Sequence, residues 1–187
     1  ADGSGQILLY RSENGFDWKF VSILAKNKKR FGKMWECPDF FELDGKHVLL
    51  TSPQDMLPEG LEYHNGNGTL CIIGEMDQDK YTLKEQFAQS VDYGIDFYAP
   101  QTVLAPDGRR IMIGWMQNWD TCGVREDDMK WFGQTSCPRE IQFVDGKLIQ
   151  NPIRELSNYH KNTVSYSEVL ISDCISLEKV SGRMIDL

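Results

Sequence analysis

Four Asp-Gly dipeptides, at Asp2, Asp44, Asp107 and Asp145, each stand beside runs of apolar, β-branched and aromatic residues. Residues 38–43 lead into Asp44-Gly45-Lys46 and on to residues 47–51. Residues 100–106 lead into Asp107-Gly108-Arg109 and on to residues 110–115, and residues 138–144 into Asp145-Gly146-Lys147 and on to residues 148–150. A fainter copy places Asp2-Gly3 ahead of residues 6–10. Each unit reads as strand, tight turn, strand, because both turn positions tolerate positive φ. A chain built from such hairpins is all-β. Spacing near 40 residues is that of four-stranded propeller blades, with the longer interval before Asp107 taken up by an inserted polar loop at residues 55–68. A β-sandwich would also repeat hairpins. The propeller is favoured by three similar Pro-bearing leads, Glu36-Cys37-Pro38-Asp39, Tyr98-Ala99-Pro100-Gln101 and Ser136-Cys137-Pro138-Arg139, which would converge on one central pocket.

Helix is scarce. Leu83, Phe87 and Val91 fall at helical spacing but fit an outer strand equally well. Residues 152–159 read as one helical turn. From Asn162 the pattern changes: Val164, Tyr166, Val169 and Ile171 look like strand residues with no further Asp-Gly turn, which puts a boundary near residues 157–162. The strand-like ending at residues 182–187 and the Ala1 start are those expected of a piece of a longer protein.

Composition excludes several classes. Lys plus Arg is 20 against 28 Asp plus Glu, a net charge of −8, which repels phosphate backbones and argues against nucleic-acid binding. Apolar runs fall short of the about 20 residues that span a bilayer, so no membrane partner is expected. Five cysteines without a C-x-x-C pair suit reduced thiols in the cytoplasm better than a disulfide framework. The histidines at 47, 64 and 160 carry no ligand spacing, so neither a metal site nor a cofactor is expected.

Glu36 stands between Trp35 and Cys37. A carboxyl held against apolar groups is desolvated, which favours its protonated form and suits a general acid. A salt-bridged Glu at a strand start is the competing reading. Asp96, Tyr98 and Gln101 have the groups to bind sugar hydroxyls, with Phe97 against a sugar face, although a buried aromatic strand with a capped turn explains them too. Trp115 and Trp119 either line a pocket or fill between sheets, and Arg139-Glu140 is either a pocket ion pair or a surface one.

The runs Trp35-Glu36-Cys37-Pro38-Asp39-Phe40-Phe41, Asp96-Phe97-Tyr98-Ala99-Pro100-Gln101, Ile113-Gly114-Trp115-Met116 and Pro138-Arg139-Glu140 resemble glycoside hydrolase family 32 in order and spacing, as does the stretch from Asp145 to Glu155-Leu156. That family includes invertases, sucrose-6-phosphate hydrolases, inulinases and levanases. The resemblance implies part of a five-bladed β-propeller, about three blades over residues 1–156, then a linker and the first strands of a C-terminal β-sandwich over residues 157–187. It implies cleavage of β-fructosides with retention and a small-molecule sugar as partner. Glu36 becomes the general acid/base, with Asp96, Tyr98, Gln101 and Trp115 as substrate-binding residues. The family's Asn-Asp-Pro-Asn nucleophile segment and its Arg-Asp-Pro motif have no counterpart in this sequence. A propeller-derived sugar-binding module without catalysis is the alternative. Lys28-Lys29-Arg30 is the one cationic run that a phosphorylated sugar could use, and it reads more simply as a solvated loop. An open set of blades leaves strand edges free, so self-association is expected.

Overall fold

The computed structural model describes residues 3–123, 128–182 and 185. Residues 1–152 form one compact unit and residues 153–187 a second. The first unit is antiparallel throughout. A two-stranded ribbon, β1 (Gln6–Arg11) and β2 (Lys19–Lys26), precedes two four-stranded sheets. The first sheet runs in order β3 (Met34–Leu43), β4 (Lys46–Gln54), β5 (Leu70–Asp77), β6 (Thr82–Ser90). The second runs β7 (Tyr98–Leu104), β8 (Arg110–Trp115), β9 (Arg139–Val144), β10 (Lys147–Pro152), each strand beside its sequence neighbour. The segment with Leu83 and Phe87 is therefore an outer strand, not a helix.

Burial explains the sequence pattern. In β4 and β5 the residues Val48, Leu49, Leu50, Leu70, Ile72 and Ile73 are all buried, so neither strand alternates apolar with polar. Alternate side chains leave opposite faces of a strand, and here each face meets a different apolar cluster. Val48, Leu50, Cys71 and Ile73 pack with Met112, Ile141 and Leu148 of the second sheet and with Phe97 just before it. Leu49, Leu70 and Ile72 pack with Ile7 and Leu24 of the ribbon and with Phe31, Trp35, Met56 and Tyr63. The β3–β6 sheet is thus the middle layer of three. Polar staples reinforce its outer interface: Phe143 N donates to Asp44 (2.8 Å) and Leu148 N to Gln89 (3.1 Å).

The hairpins differ from the expectation in two respects. Asp44-Gly45 and Asp145-Gly146 form two-residue turns with φ positive at both positions (49° and 78°; 48° and 80°). At Asp107-Gly108 only Gly108 is left-handed, at 87°. Pro106 fixes its own φ near −65°, so the turn starts one residue earlier and closes through Gly108 N to Ala105 O (2.9 Å). The Asp107 and Asp145 hairpins also belong to one sheet rather than to successive blades. Only two of the three Pro-bearing leads therefore open a sheet; Arg139 begins a third strand. Of the Asp2-Gly3 turn, Asp2 lies outside the described residues, while Gly3 is left-handed at 73°. Residues 55–68 connect β4 to β5 as a loop whose residues 57–61 are exposed, anchored to the core by buried Met56, Tyr63 and Asn67.

In the second unit a 3-10 helix covers Arg154–Tyr159, as the reading of a helical turn expected, and it buries none of its residues. Among the described residues beyond it no strand forms. Val164, Tyr166, Val169 and Ile171 have the composition of a strand without a partner there to complete a hydrogen-bonded ladder.

Candidate active site

β3 and β7 open the two large sheets, and both carry the same irregularity at their first turn of chain. In β3 the register slips between Glu36 and Asp39, so Cys37 and Pro38 together oppose Thr51. In β7 it slips between Tyr98 and Gln101, so Ala99 and Pro100 together oppose Gly114. Cys37 and Ala99 are both left-handed, at 47° and 49°, though neither is glycine. A bulge accepts the proline that a regular ladder rejects and re-aims the side chains beside it. Here the re-aimed residues meet: the Tyr98 hydroxyl donates to Glu36 Oε2 at 2.9 Å and also lies 3.1 Å from the Ser52 carbonyl. Just past the bulges the strands are stapled, as Thr102 N and Oγ1 both donate to Asp39 Oδ2 (2.8 and 2.6 Å).

Glu36 is half-buried. Trp35, its neighbour, turns away into the ribbon-side core and gives its indole N–H to Phe31 O (2.9 Å). Among the described residues, the Tyr98 phenol is the polar side chain that hydrogen-bonds the Glu36 carboxylate. Tyr98 is 1% exposed, and burial together with the Glu36 carboxylate pushes its hydroxyl up to about 12, against donors from Trp119 and Gln54 that pull it down. At neutral pH Tyr98 therefore stays protonated, so its one hydroxyl proton is there to donate while its oxygen accepts from Trp119 and Gln54. The Cys37 thiol is raised by desolvation and then by the charge of Glu36.

Three aromatic rings close one side. Trp115 pairs with Tyr98 across β7 and β8, their ring centroids 6.3 Å apart; Trp119 lies 6.0 Å from Tyr98 and 5.3 Å from Trp115, all edge-on. Beside Trp115, Gly114 makes room for the Phe97 ring, from which a Cβ would lie 2.4 Å. Asn118, immediately before Trp119, anchors it: Asn118 takes a hydrogen bond from Asn67 (3.1 Å) and donates to Asn65 O (2.9 Å).

The structure thus brings Glu36, Tyr98 and Trp115 together. Asp96 lies in the segment leading into β7, half-buried, two residues before Tyr98. Gln101 is exposed past the bulge, its amide on Pro100 O (3.0 Å). Arg139 and Glu140 do not pair with each other. Arg139 binds Asp92 (2.7 Å) and stacks on Phe97 (4.4 Å), while Glu140 binds Arg109 (2.8 Å), because neighbouring residues of β9 face opposite ways. Arg30 of the cationic run pairs with Glu85 (2.8 Å). Thr51, Ser52 and Gln54 escaped the sequence reading. Their signal was there: a Thr-Ser-Pro-Gln run directly after the apolar centre of the strand, Val48-Leu49-Leu50.

A half-buried carboxylate with a fixed donor on one oxygen can give or take a proton on the other. Residues 1–152 match the glycosyl hydrolases family 32 N-terminal domain. The chain is 39% identical over 170 residues to the raffinose invertase of Escherichia coli, covering 90% of this chain and 35% of that protein. It is 38% identical over 176 residues to a sucrose-6-phosphate hydrolase of Escherichia coli, covering 94% and 37%. Among solved structures it superposes on the β-fructofuranosidase of Bombyx mori, a variant of which was determined in complex with sucrose, with a TM-score of 0.80 at 38% identity over 88% of this chain and 35% of that one. The chain therefore spans about a third of the length of these relatives. With the all-β architecture and the matched domain in agreement, the chain belongs to glycosyl hydrolase family 32, with residues 1–152 forming part of its N-terminal β-propeller domain.

Proposed function

We propose that the full-length protein is a β-fructofuranosidase that cleaves sucrose or a related β-fructoside with retention, and that Glu36 is its general acid/base. The observation that carries this reading is the Tyr98–Glu36 contact at 2.9 Å across two facing bulges, which holds one carboxylate oxygen and leaves the other for a leaving-group oxygen. Asp96, Tyr98, Gln101 and Trp115 line the fructosyl side. Retaining chemistry needs a second carboxyl about 5–5.5 Å away as nucleophile. Without an Asn-Asp-Pro-Asn segment in this sequence, that group comes from elsewhere in the full-length protein. The relatives named for raffinose and sucrose 6-phosphate extend the candidate substrates to both. In this reading the propeller contributes about three of five blades here, residues 157–187 begin the linker and C-terminal β-sandwich, the protein works in the cytoplasm without a cofactor, and the isolated chain self-associates through open strand edges.

The test is turnover of sucrose, raffinose and sucrose 6-phosphate by the full-length protein, with the first-formed fructose anomer followed by NMR. Release of the β-anomer first, and no turnover by the 187-residue chain alone, is the expected outcome. Release of the α-anomer first, or turnover by the isolated chain at the full-length rate, would overturn it.

A further inference from the structure

A bulge takes backbone groups out of the regular ladder, and buried groups so released need other partners. Both bulges at the site find them in one dipeptide of β4. The Thr51 hydroxyl donates to the carbonyl of Glu36 at 3.0 Å, immediately before left-handed Cys37. The Ser52 hydroxyl accepts from the N–H of left-handed Ala99 at 2.9 Å, and the Ser52 carbonyl lies 3.1 Å from the Tyr98 hydroxyl. Thr51 and Ser52 are both fully buried, directly after the apolar residues Val48, Leu49 and Leu50. Neighbouring residues of a strand point to opposite faces. Thr51 serves β3 of its own sheet while Ser52 reaches the first strand of the next.

We propose that Thr51 and Ser52 form a positioning bracket that fixes both bulges and so sets the Glu36–Tyr98 contact on which proton delivery depends. The inference rests on the functional reading above. Left-handed backbone at a non-glycine residue persists only where its surroundings over-determine it. The prolines that follow Cys37 and Ala99 disfavour the right-handed helical alternative. The hydroxyls supply the rest of that constraint, from one rigid strand. Neither residue touches substrate in this arrangement; both act through Glu36 and Tyr98.

The experiment uses the full-length protein with sucrose and with an aryl β-fructoside whose leaving group departs without protonation. Thr51→Val keeps the shape and removes the hydroxyl; Thr51→Ser returns it; Ser52→Ala releases the Ala99 side. For Thr51→Val and Ser52→Ala, kcat/KM on sucrose is expected to fall about 10- to 100-fold, the size of effect a sub-ångström to ångström misplacement produces. On the aryl fructoside the fall is expected to be under about 3-fold, because that step draws little on the general acid. Thr51→Ser restores most of the sucrose activity, and melting temperatures report whether each variant is folded. Equal losses on the two substrates, or Thr51→Val matching Thr51→Ser on sucrose, overturn the bracket. Wild-type protein inactive on both fructosides overturns the functional reading and the bracket with it.

Discussion

Replacing Gly114 with alanine tests whether the packing behind Tyr98 is as tight as the structure makes it. A Cβ at this position would lie 2.4 Å and 2.5 Å from two carbons of the Phe97 ring. Carbon atoms in contact sit about 3.5–4.0 Å apart, so the shortfall exceeds an ångström. Neither side can retreat cheaply. Phe97 is 2% exposed, its carbonyl accepts from Thr69 (3.0 Å) and Arg139 stacks on its ring at 4.4 Å. Gly114 is held from behind by Ser136, whose N–H donates to Gly114 O (2.9 Å) and whose hydroxyl accepts from Gly114 N (3.2 Å). Overpacking of this kind costs about 1–3 kcal/mol, and rigid neighbours on both sides place Gly114→Ala at about 2–3 kcal/mol. For a chain of this size that lowers the melting temperature by about 4–12 °C. Thermal melts of wild type, Gly114→Ala, Phe97→Leu and the double variant give the coupling directly. Phe97→Leu trims the ring, so the double variant should be more stable than the sum of the two losses by more than about 0.5 kcal/mol. Strict additivity, or a Gly114→Ala melt equal to wild type, would refute the argument.

Other outcomes follow from the same contacts. Leu50→Ala, at a fully buried position facing the second sheet, should cost about 2–5 kcal/mol in chemical denaturation; a loss under about 1 kcal/mol would mean the sheets do not pack as described. Tyr98 titrates near 12 in the folded chain, above its ordinary value of 10.0, so its contribution to stability is complete below pH 10 and is lost as pH rises from 10 through 12. The stability difference between wild type and Tyr98→Phe should therefore shrink by about 1 kcal/mol per pH unit over that window, and a pH-independent difference would contradict it. Cys71 is raised by burial to about 12 from 9.0 and adds a similar loss starting lower, near pH 9, which Cys71→Ala should remove. Light scattering of the isolated chain should show mass rising with concentration, against a constant monomer mass if the strand edges are protected.

Much of this was legible in the residues, and the limits have physical causes. The hairpins at Asp44 and Asp145 follow from a dipeptide that tolerates two left-handed positions, and Pro106 accounts for the different turn at Asp107. The grouping of hairpins into sheets was not legible. Whether β9 continues the sheet of β8 depends on the path of residues 116–138, and no local residue preference marks that path. The helical spacing of Leu83 and Phe87 was ambiguous between helix and outer strand; in β6 a register slip between them sends Leu83 to the ribbon-side cluster and Phe87 to the cluster shared with the second sheet. The Glu36–Tyr98 contact joins residues 62 positions apart; composition alone left Glu36 open between a salt bridge and an acid, and the family resemblance joined the two motifs. The polar pair Thr51-Ser52 closes an apolar strand. Its partners are backbone groups of bulges, which a sequence does not display.

Glu36→Gln in the full-length protein tests the central claim most directly. The substitution keeps the shape of the side chain and its acceptor oxygen for Tyr98 while removing the proton donor. With sucrose, kcat/KM should fall about 10²- to 10⁴-fold, the usual contribution of a positioned general acid. With an aryl β-fructoside that needs no protonation, kcat/KM should stay within about 10-fold of wild type. A Glu36→Gln protein that hydrolyses sucrose as fast as wild type would contradict the assignment of Glu36 as the acid/base.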